Sequence, residues 1–384
     1  MQIAYVLWIP WRTYRGGGEE FAENLCGHLA LRGHDVILIS PSAELQASIG
    51  KTRRLLVSGP EMGLWSLVRS ASRLQANIGK TRSIVIRNVS VRRAVSGLAM
   101  GLWSLNIPCI LSKINPDVVI SHNIFPPYFC QKWANKHSKI FINNFFHMEP
   151  RSKEPALSWR HRLFKLLNLR RDNNVYVAIS YYQKRLIDRF KDEVHYMGMG
   201  YDPHKPLSLP KEDIILYLGK IAKMKQVPLL LRAWKNVDHN DWKLVLAGNG
   251  SDYDYCVNYA KNINLTDYEF LGYVTDEEKW RLYSKAKLFA FPSSYEGFGI
   301  VLLEALNEES VPIVNDLPPM NEVITPEVGF VTKPTVDAWT KILRIAMSSD
   351  LAKKLVHSPK ILGKYKWETV CKRLEQIIEM YTSK

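Results

Sequence analysis

Apolar positions fall along this chain in short runs separated by helical patterns and turns. Residues 3–9 are almost wholly apolar and read as a first strand. A glycine turn, Gly16-Gly17-Gly18, follows, and from about Glu19 to Leu31 the residues Phe21, Leu25, Cys26 and Leu29 recur at helical spacing. Gly33 stops that helix, and Val36–Ile39 reads as the next strand. Strand, glycine turn, helix, strand is the opening of a doubly wound α/β domain. Further runs at Val118–Ser121, Ile140–Asn143 and Val175–Ile179 are spaced as parallel strands. Between Gly200 and Asp213 the polar segment GYDPHKPLSLPKED holds three prolines and reads as a linker. The pattern then restarts, with strands expected at Ile214–Leu218, Lys243–Ala247, Glu269–Leu271, Leu288–Phe291 and Pro312–Val314. Two Rossmann-like domains are therefore expected, over residues 1–205 and 206–365. Residues 366–384 follow as a tail, in which Val370, Leu374, Ile377, Ile378 and Tyr381 share one face of a helix.

Charge changes this picture. The chain of 384 residues carries a net charge of +15. Residues 1–200 hold 28 basic and 13 acidic side chains, and residues 201–384 hold 24 of each, so the whole surplus lies in the first half. It is densest over residues 51–100, with ten basic residues against the single acid Glu61. Such asymmetry points to an anionic partner, phosphate groups or a lipid surface. In the same region IGKTR occurs at Ile49 and Ile78 and GLWSL at Gly63 and Gly101, at unequal offsets that exclude a solenoid period. The two GKT triplets lack the upstream glycine of a phosphate-binding loop, since Leu45 and Leu74 occupy that place. The five cysteines are scattered and form no C-x-x-C, which fits a reducing cytoplasm and argues against structural zinc. The start lacks a basic leader, and no apolar stretch reaches the ~18 residues of a membrane span.

Candidate chemistry concentrates in FPSSYEGFGIVLLEALNEESVPIV, residues 291–314. A strand ends at Phe291, Glu296 follows in a loop with Gly297 and Gly299, and a helix starts near Ile300 with Glu304 one turn inside. The glycines let backbone approach a ligand closely, and unpaired N–H groups at a helix start bind oxygen. One acid beside the loop and one within the helix can reach different parts of one ligand. The plainer alternative is a capping Glu296 and a solvated Glu304. In LGKIAKMKQ, residues 218–226, Lys220 and Lys225 follow a strand's carboxyl end, where two ammonium groups suit a diphosphate. A solvated basic loop is the alternative there.

These motifs resemble those of the retaining glycosyltransferases of family 4, which have the GT-B fold: two doubly wound Rossmann-like domains with a cleft between them. The resemblance covers nearly the whole chain outside about residues 45–112. It is carried by Glu296, seven residues and Glu304, by Gly219-Lys220 and Lys225-Gln226, by Gly16, Gly17, Glu19 and Arg32-Gly33-His34, by Asp117-Val118-Val119 through His122-Asn123, and by Ser180 and Gly200-Tyr201-Asp202. It implies a nucleotide-diphosphate sugar as co-substrate, with no other cofactor and no metal. Glu304 would accept from the ribose hydroxyls. Glu296 and the amides of Gly297, Phe298 and Gly299 would orient the sugar, Lys220 and Lys225 would neutralise the diphosphate, and Gly17 would bring amides close to it. His147 would lie near the transferred sugar or the acceptor, and the terminal helix would cross back to the first domain. Lysine at 220 replaces the family's arginine, glutamine at 226 its glycine, and Pro318-Pro319 its glycine pair.

The expected activity is transfer of a hexosyl or related sugar to an acceptor glycan, with retention. Apolar GLWSL segments among the arginines of residues 51–112 suit an anionic membrane, so a lipid-linked or membrane-proximal acceptor and a peripheral place on the cytoplasmic face are expected. The alternatives are a catalytically inactive sugar-nucleotide binder and a basic nucleic-acid-binding protein. No recognised binding module supports the latter, and no nucleic-acid partner is expected.

Overall fold

The computed structural model describes residues 1–7, 17–40, 53–57, 83–86, 104–121, 125–145, 174–188 and 193–383, some of them by backbone alone. They form two compact units. One comprises Met1–Ile179, Gln183–Gly200 and Trp367–Lys384, the other Ser180–Tyr182 and Tyr201–Lys366. The chain thus passes into the second unit at Tyr201, ahead of the boundary expected after residue 205, and leaves it after Lys366. At that point Tyr201 pairs in parallel with Lys366 and its N–H donates to Tyr365 O at 2.7 Å. Those bonds put the boundary at the backbone pairing and leave the proline-rich stretch inside the second unit.

The first unit is built on β1 (Gln2–Val6), β2 (Asp35–Ser40), β3 (Arg53–Val57), β4 (Ser83–Ile86), β5 (Val118–Ser121), β6 (Ile140–Phe145), β7 (Asn174–Ala178) and β8 (Val194–Tyr196). They make an eight-stranded parallel sheet in the order β4-β3-β2-β1-β5-β6-β7-β8. Central β1 registers Ile3 against Val36 on one side and Val118 on the other. It is covered on both faces, which is why its sequence is continuously apolar rather than alternating. Ala4, Val6, Ile37, Val119 and Phe141 pack with Ile107, Ile110, Leu111 and Trp133 in one core. The helix Trp367–Thr382 belongs to this unit. Val370, Leu374, Ile377 and Ile378 form its buried face, whereas Tyr381 is only half-buried. The Trp367 ring lies 5.0 Å from Phe21 and 5.3 Å from His28 on the helix Gly17–Leu31. Arg32 grips both oxygens of Glu375, at 2.8 and 2.6 Å, and His34 Nε2 lies 2.8 Å from the same carboxylate.

Strands β3 and β4 fall in the basic region, where no element was expected. RRLLV and SIVI are five- and four-residue runs among arginines, too short to show a period beside the repeated pentapeptides. Of the residues read there as membrane-facing, Trp65, Arg69, Arg73, Arg82, Arg87, Arg92, Arg93 and Trp103 lie outside the described residues, and Arg53 and Arg54 are described by backbone alone.

The second unit contains β9 (Glu212–Leu218), β10 (Lys243–Ala247), β11 (Tyr268–Gly272), β12 (Ala286–Phe291), β13 (Val311–Asn315) and β14 (Phe330–Thr332). Their order is β11-β10-β9-β12-β13-β14, all parallel. Tyr217, Leu246 and Leu288 from the sheet pack with Trp234 and Trp339 from its helices, all fully buried. From β9 the chain builds outward through β10 and β11, then returns to the other side of β9 with β12. The order therefore reverses between β9 and β12. The crevice beyond the carboxyl ends of those two strands is where open α/β sheets bind ligands. In the first unit the equivalent reversal lies between β1 and β5.

Candidate functional site

Both segments singled out in the second half of the sequence leave the sheet at this reversal. After β9, Gly219 has φ +153° and Gly248, after β10, has φ +129°. A Cβ on Gly248 would stand 1.9 Å from Gly219 O, so the two strand ends run in backbone contact and only glycine fits there. The turn continues through exposed Lys220 into a single 3-10 turn, Lys223–Lys225, closed by Gln226 in the left-handed region at φ 51°. Glutamine thus adopts the conformation in which the resemblance has glycine. The turn aims Lys225 back across the strand ends: its ammonium pairs with Glu296 and lies 5.3 Å from the Phe291 ring centroid.

After β12, Ser294 N–H and Oγ both donate to Met224 O, at 2.8 and 2.9 Å, which ties the two loops together. Ser293 Oγ donates to Glu296 Oε1 at 2.7 Å. Glu296 is therefore a partly buried carboxylate held by one ammonium and one hydroxyl, and not a cap of the following helix. Beneath it, the fully buried Asn315 at the end of β13 donates to Pro292 O at 2.6 Å and Ser293 O at 3.0 Å, and accepts from Trp339 Nε1 at 2.7 Å. Gly299 has φ +91°, and buried Phe298 stacks edge-on against Tyr365 at 5.1 Å. The helix then runs from Val301 to Asn307, with Glu304 in its first turn.

Glu304 has its own partners. Lys279 Nζ lies 3.2 Å from its Oε1, and Tyr283 OH donates to its Oε2 at 3.1 Å. Both donors sit on the helix Asp276–Lys285, whose start is fixed by a reciprocal capping box between Thr275 and Glu278. Burial and the adjacent Glu304 charge hold the Tyr283 phenol well above its ordinary pKa, so it remains a donor. Deeper in the unit, Lys211 donates to the carbonyls of Tyr283, Ala286 and Glu308 at 3.3, 3.0 and 2.6 Å, and desolvation lowers its pKa to about 8. The wholly buried Glu308 carboxylate accepts from Leu207 N–H at 3.1 Å and lies 2.8 Å from His204 Nε2.

The structure thus brings Lys225 and Glu296 into contact and places Glu304 in a separate cluster with Lys279 and Tyr283. Lys220, Gly297, Phe298 and Gly299 lie on the loops that join the sheet to these clusters. Gly17 begins a helix of the other unit, and His147 lies outside the described residues. Lys279, Tyr283, Ser293 and Asn315 went unrecognised in the sequence. Asn315 carried a signal, as the one polar residue closing the apolar run VPIVN. Lys279 and Tyr283 are four apart and so share a helix face, but nothing local shows that this face meets a carboxylate. The Pro318-Pro319 bond is cis, and just beyond it Asn321 Nδ2 donates to Asp316 Oδ1 at 3.0 Å. Among the described residues no group of three or more His, Cys, Asp or Glu could hold a metal, and no helix is long and apolar enough to cross a membrane.

Residues 15–205 match the family model Glycosyltransferase Family 4, and residues 202–363 match Glycosyl transferases group 1. An uncharacterized glycosyltransferase of Methanocaldococcus jannaschii, MJ1607, is 28% identical over 177 residues, covering 44% of this chain and 45% of that protein. The lipopolysaccharide 1,6-galactosyltransferase of Escherichia coli K12 is 26% identical over 242 residues, 58% of this chain and 60% of its own length. The match thus spans about half the length of these curated relatives. In three dimensions the chain superposes on Anabaena HepE, solved in complex with UDP, with a TM-score of 0.72 at 13% identity, covering 99% of this chain and 100% of that one. Two Rossmann-like units with parallel sheets and this likeness make the fold GT-B. With one glycosyltransferase model over its first half and another over its second, the chain belongs to the glycosyltransferases of the family 4 and group 1 type.

Proposed function

We propose that this chain transfers a hexosyl or related sugar from a nucleotide-diphosphate donor to an acceptor glycan. The observation that carries the reading is the pairing of Lys225 with Glu296 at the reversal between β9 and β12, together with a second held carboxylate, Glu304, on the helix that follows. An ammonium and a carboxylate side by side suit a ligand with an anionic part and a hydroxylated part. Lys225 and Lys220 attract the diphosphate, Glu296 and the amides of Gly297, Phe298 and Gly299 orient the sugar, and Glu304 accepts from the ribose hydroxyls.

The chemistry follows from charge. As the anomeric carbon–oxygen bond breaks, its electrons move to the diphosphate, while an acceptor hydroxyl oxygen bonds to that carbon and gives up its proton to the departing diphosphate oxygen. Preorganised ammonium and amide donors aimed at the growing negative charge stabilise the transition state more than the ground state. The lysines supply the countercharge that a metal would otherwise bring. Retention of configuration is what the family resemblance implies. The basic first half suits a lipid-linked acceptor at an anionic membrane surface, on the cytoplasmic side.

A thermal-shift screen against nucleotide-sugars, followed by donor hydrolysis and transfer assays, tests this. A bound donor at a hundredfold excess over Kd stabilises the fold by about 2.7 kcal/mol. Glu304→Ala is expected to weaken nucleotide binding, and Glu296→Ala chiefly to slow turnover. Binding with no turnover would leave an inactive sugar-nucleotide binder. Normal turnover by both variants would show that the site is elsewhere.

A further inference from the structure

We propose that Lys279 and Tyr283 are positioning residues that lock Glu304 as a two-oxygen acceptor, so that this pocket selects a vicinal diol on the ligand's pentose. The inference rests on the reading of Glu304 as the acceptor for the donor's ribose hydroxyls, and adds how that carboxylate comes to discriminate.

The two donors are distributed one to each oxygen: Lys279 Nζ to Oε1 at 3.2 Å and Tyr283 OH to Oε2 at 3.1 Å. An ionised carboxylate offers about four acceptor directions, so each oxygen keeps one open. The two open directions are then fixed in space together. A carboxylate free to rotate would accept from one hydroxyl or two with little distinction. One clamped at both oxygens is matched to two hydroxyls on adjacent carbons, and a ligand lacking one of them leaves an acceptor unpaired in a partly dry site.

Each clamp is itself fixed. Tyr283 is fully buried, and its ring packs against Phe289 at 5.3 Å. Lys279 lies 4.2 Å from the Trp280 ring centroid and 3.7 Å from Asp276 Oδ1. The capping box at Thr275 sets the start of the helix that carries both, and their four-residue spacing puts them on one face.

Calorimetric titration of the full chain with UDP, GDP and ADP, and with the 2′-deoxy form of each, tests the proposal. For the diphosphate that binds most tightly, the ribose form is expected to bind about tenfold or more tightly than the deoxy form. Tyr283→Phe and Lys279→Met should each cut that ratio to about threefold or less, with Lys279→Arg keeping most of it. A merely structural role would weaken both forms equally and leave the ratio alone. That result, or an unchanged ratio in both variants while Glu304→Gln abolishes it, overturns the positioning role and leaves the reading of Glu304 intact. Should the parent chain show no preference and Glu304→Gln bind as tightly as the parent, the reading of Glu304 itself fails. Melting temperatures accompany each variant. If Tyr283→Phe does not fold, the comparison of Lys279→Met with Lys279→Arg decides.

Discussion

In the eight-stranded sheet the strand order reverses across β1, and the described polar side chain at that reversal is Ser121, whose hydroxyl donates to Val6 O at 2.9 Å. In the six-stranded sheet the order reverses across β9, and the strand ends there carry Lys220, Lys225, Ser293 and Glu296. The two sheets share a winding, and in the second the described loops after the strand ends set charged side chains at this topological place. The doubly wound sheet supplies a crevice, and the side chains set into it supply the chemistry. Charge divides the other way. The first half owns the whole surplus, while the balanced second half spends its charges in pairs that fix one carboxylate each.

The largest expected effect comes from the backbone contact that shapes the second crevice. Gly248→Ala would drive a Cβ into Gly219 O, and neither atom is the end of a flexible side chain. We expect a loss of about 2–4 kcal/mol in urea unfolding, together with loss of nucleotide binding. An unchanged stability would mean that the two strand ends are not so closely joined.

How far this crevice was legible in the sequence depends on the residue. Strands β9, β10, β12 and β13 stood out because each is an apolar run bounded by turn residues, and the Glu296–Glu304 spacing marked the loop and helix after β12. The lysines were visible as a basic loop after a strand. What pairs with what was not visible. Lys225 meets Glu296 from a loop 71 residues away in sequence, and Lys279 reaches Glu304 only because a helix from 25 residues upstream in the chain packs beside it. In the first unit β3 and β4 escaped notice because short apolar runs among arginines look alike whether they pair in a sheet or lie in a loop. The pairing of Arg32 and His34 with Glu375 joins residues more than 340 apart, which no local pattern reveals.

A second prediction separates the two lysines. Lys225→Met removes the ammonium that faces Glu296, and by the usual worth of a preorganised donor should reduce turnover about 10²–10³-fold. Lys220 is exposed at the strand end, so Lys220→Met should cost distinctly less. Steady-state donor hydrolysis reads both, and equal losses would shift the diphosphate toward Lys220.

The smallest expected effect lies in the first unit. The Arg32 hydrogen bonds and the His34 contact hold the Glu375 carboxyl below its ordinary pKa. A carboxylate lowered in the folded state contributes stability that is present above its unfolded pKa and is lost as pH falls through the folded one. Glu375→Gln should therefore be less stable than the parent chain at neutral pH, with the gap closing in acid below the ordinary carboxylate range. Urea unfolding across that range measures it, and a gap independent of pH would mean that packing rather than charge joins the terminal helix to the turn at Gly33.

Hydrogen exchange read by mass spectrometry, with and without the nucleotide-sugar that gives the largest thermal shift, tests the central claim most directly. Slowed exchange centred on residues 219–226 and 292–304 is the predicted result. Slowed exchange that spares both loops while binding is complete would contradict it.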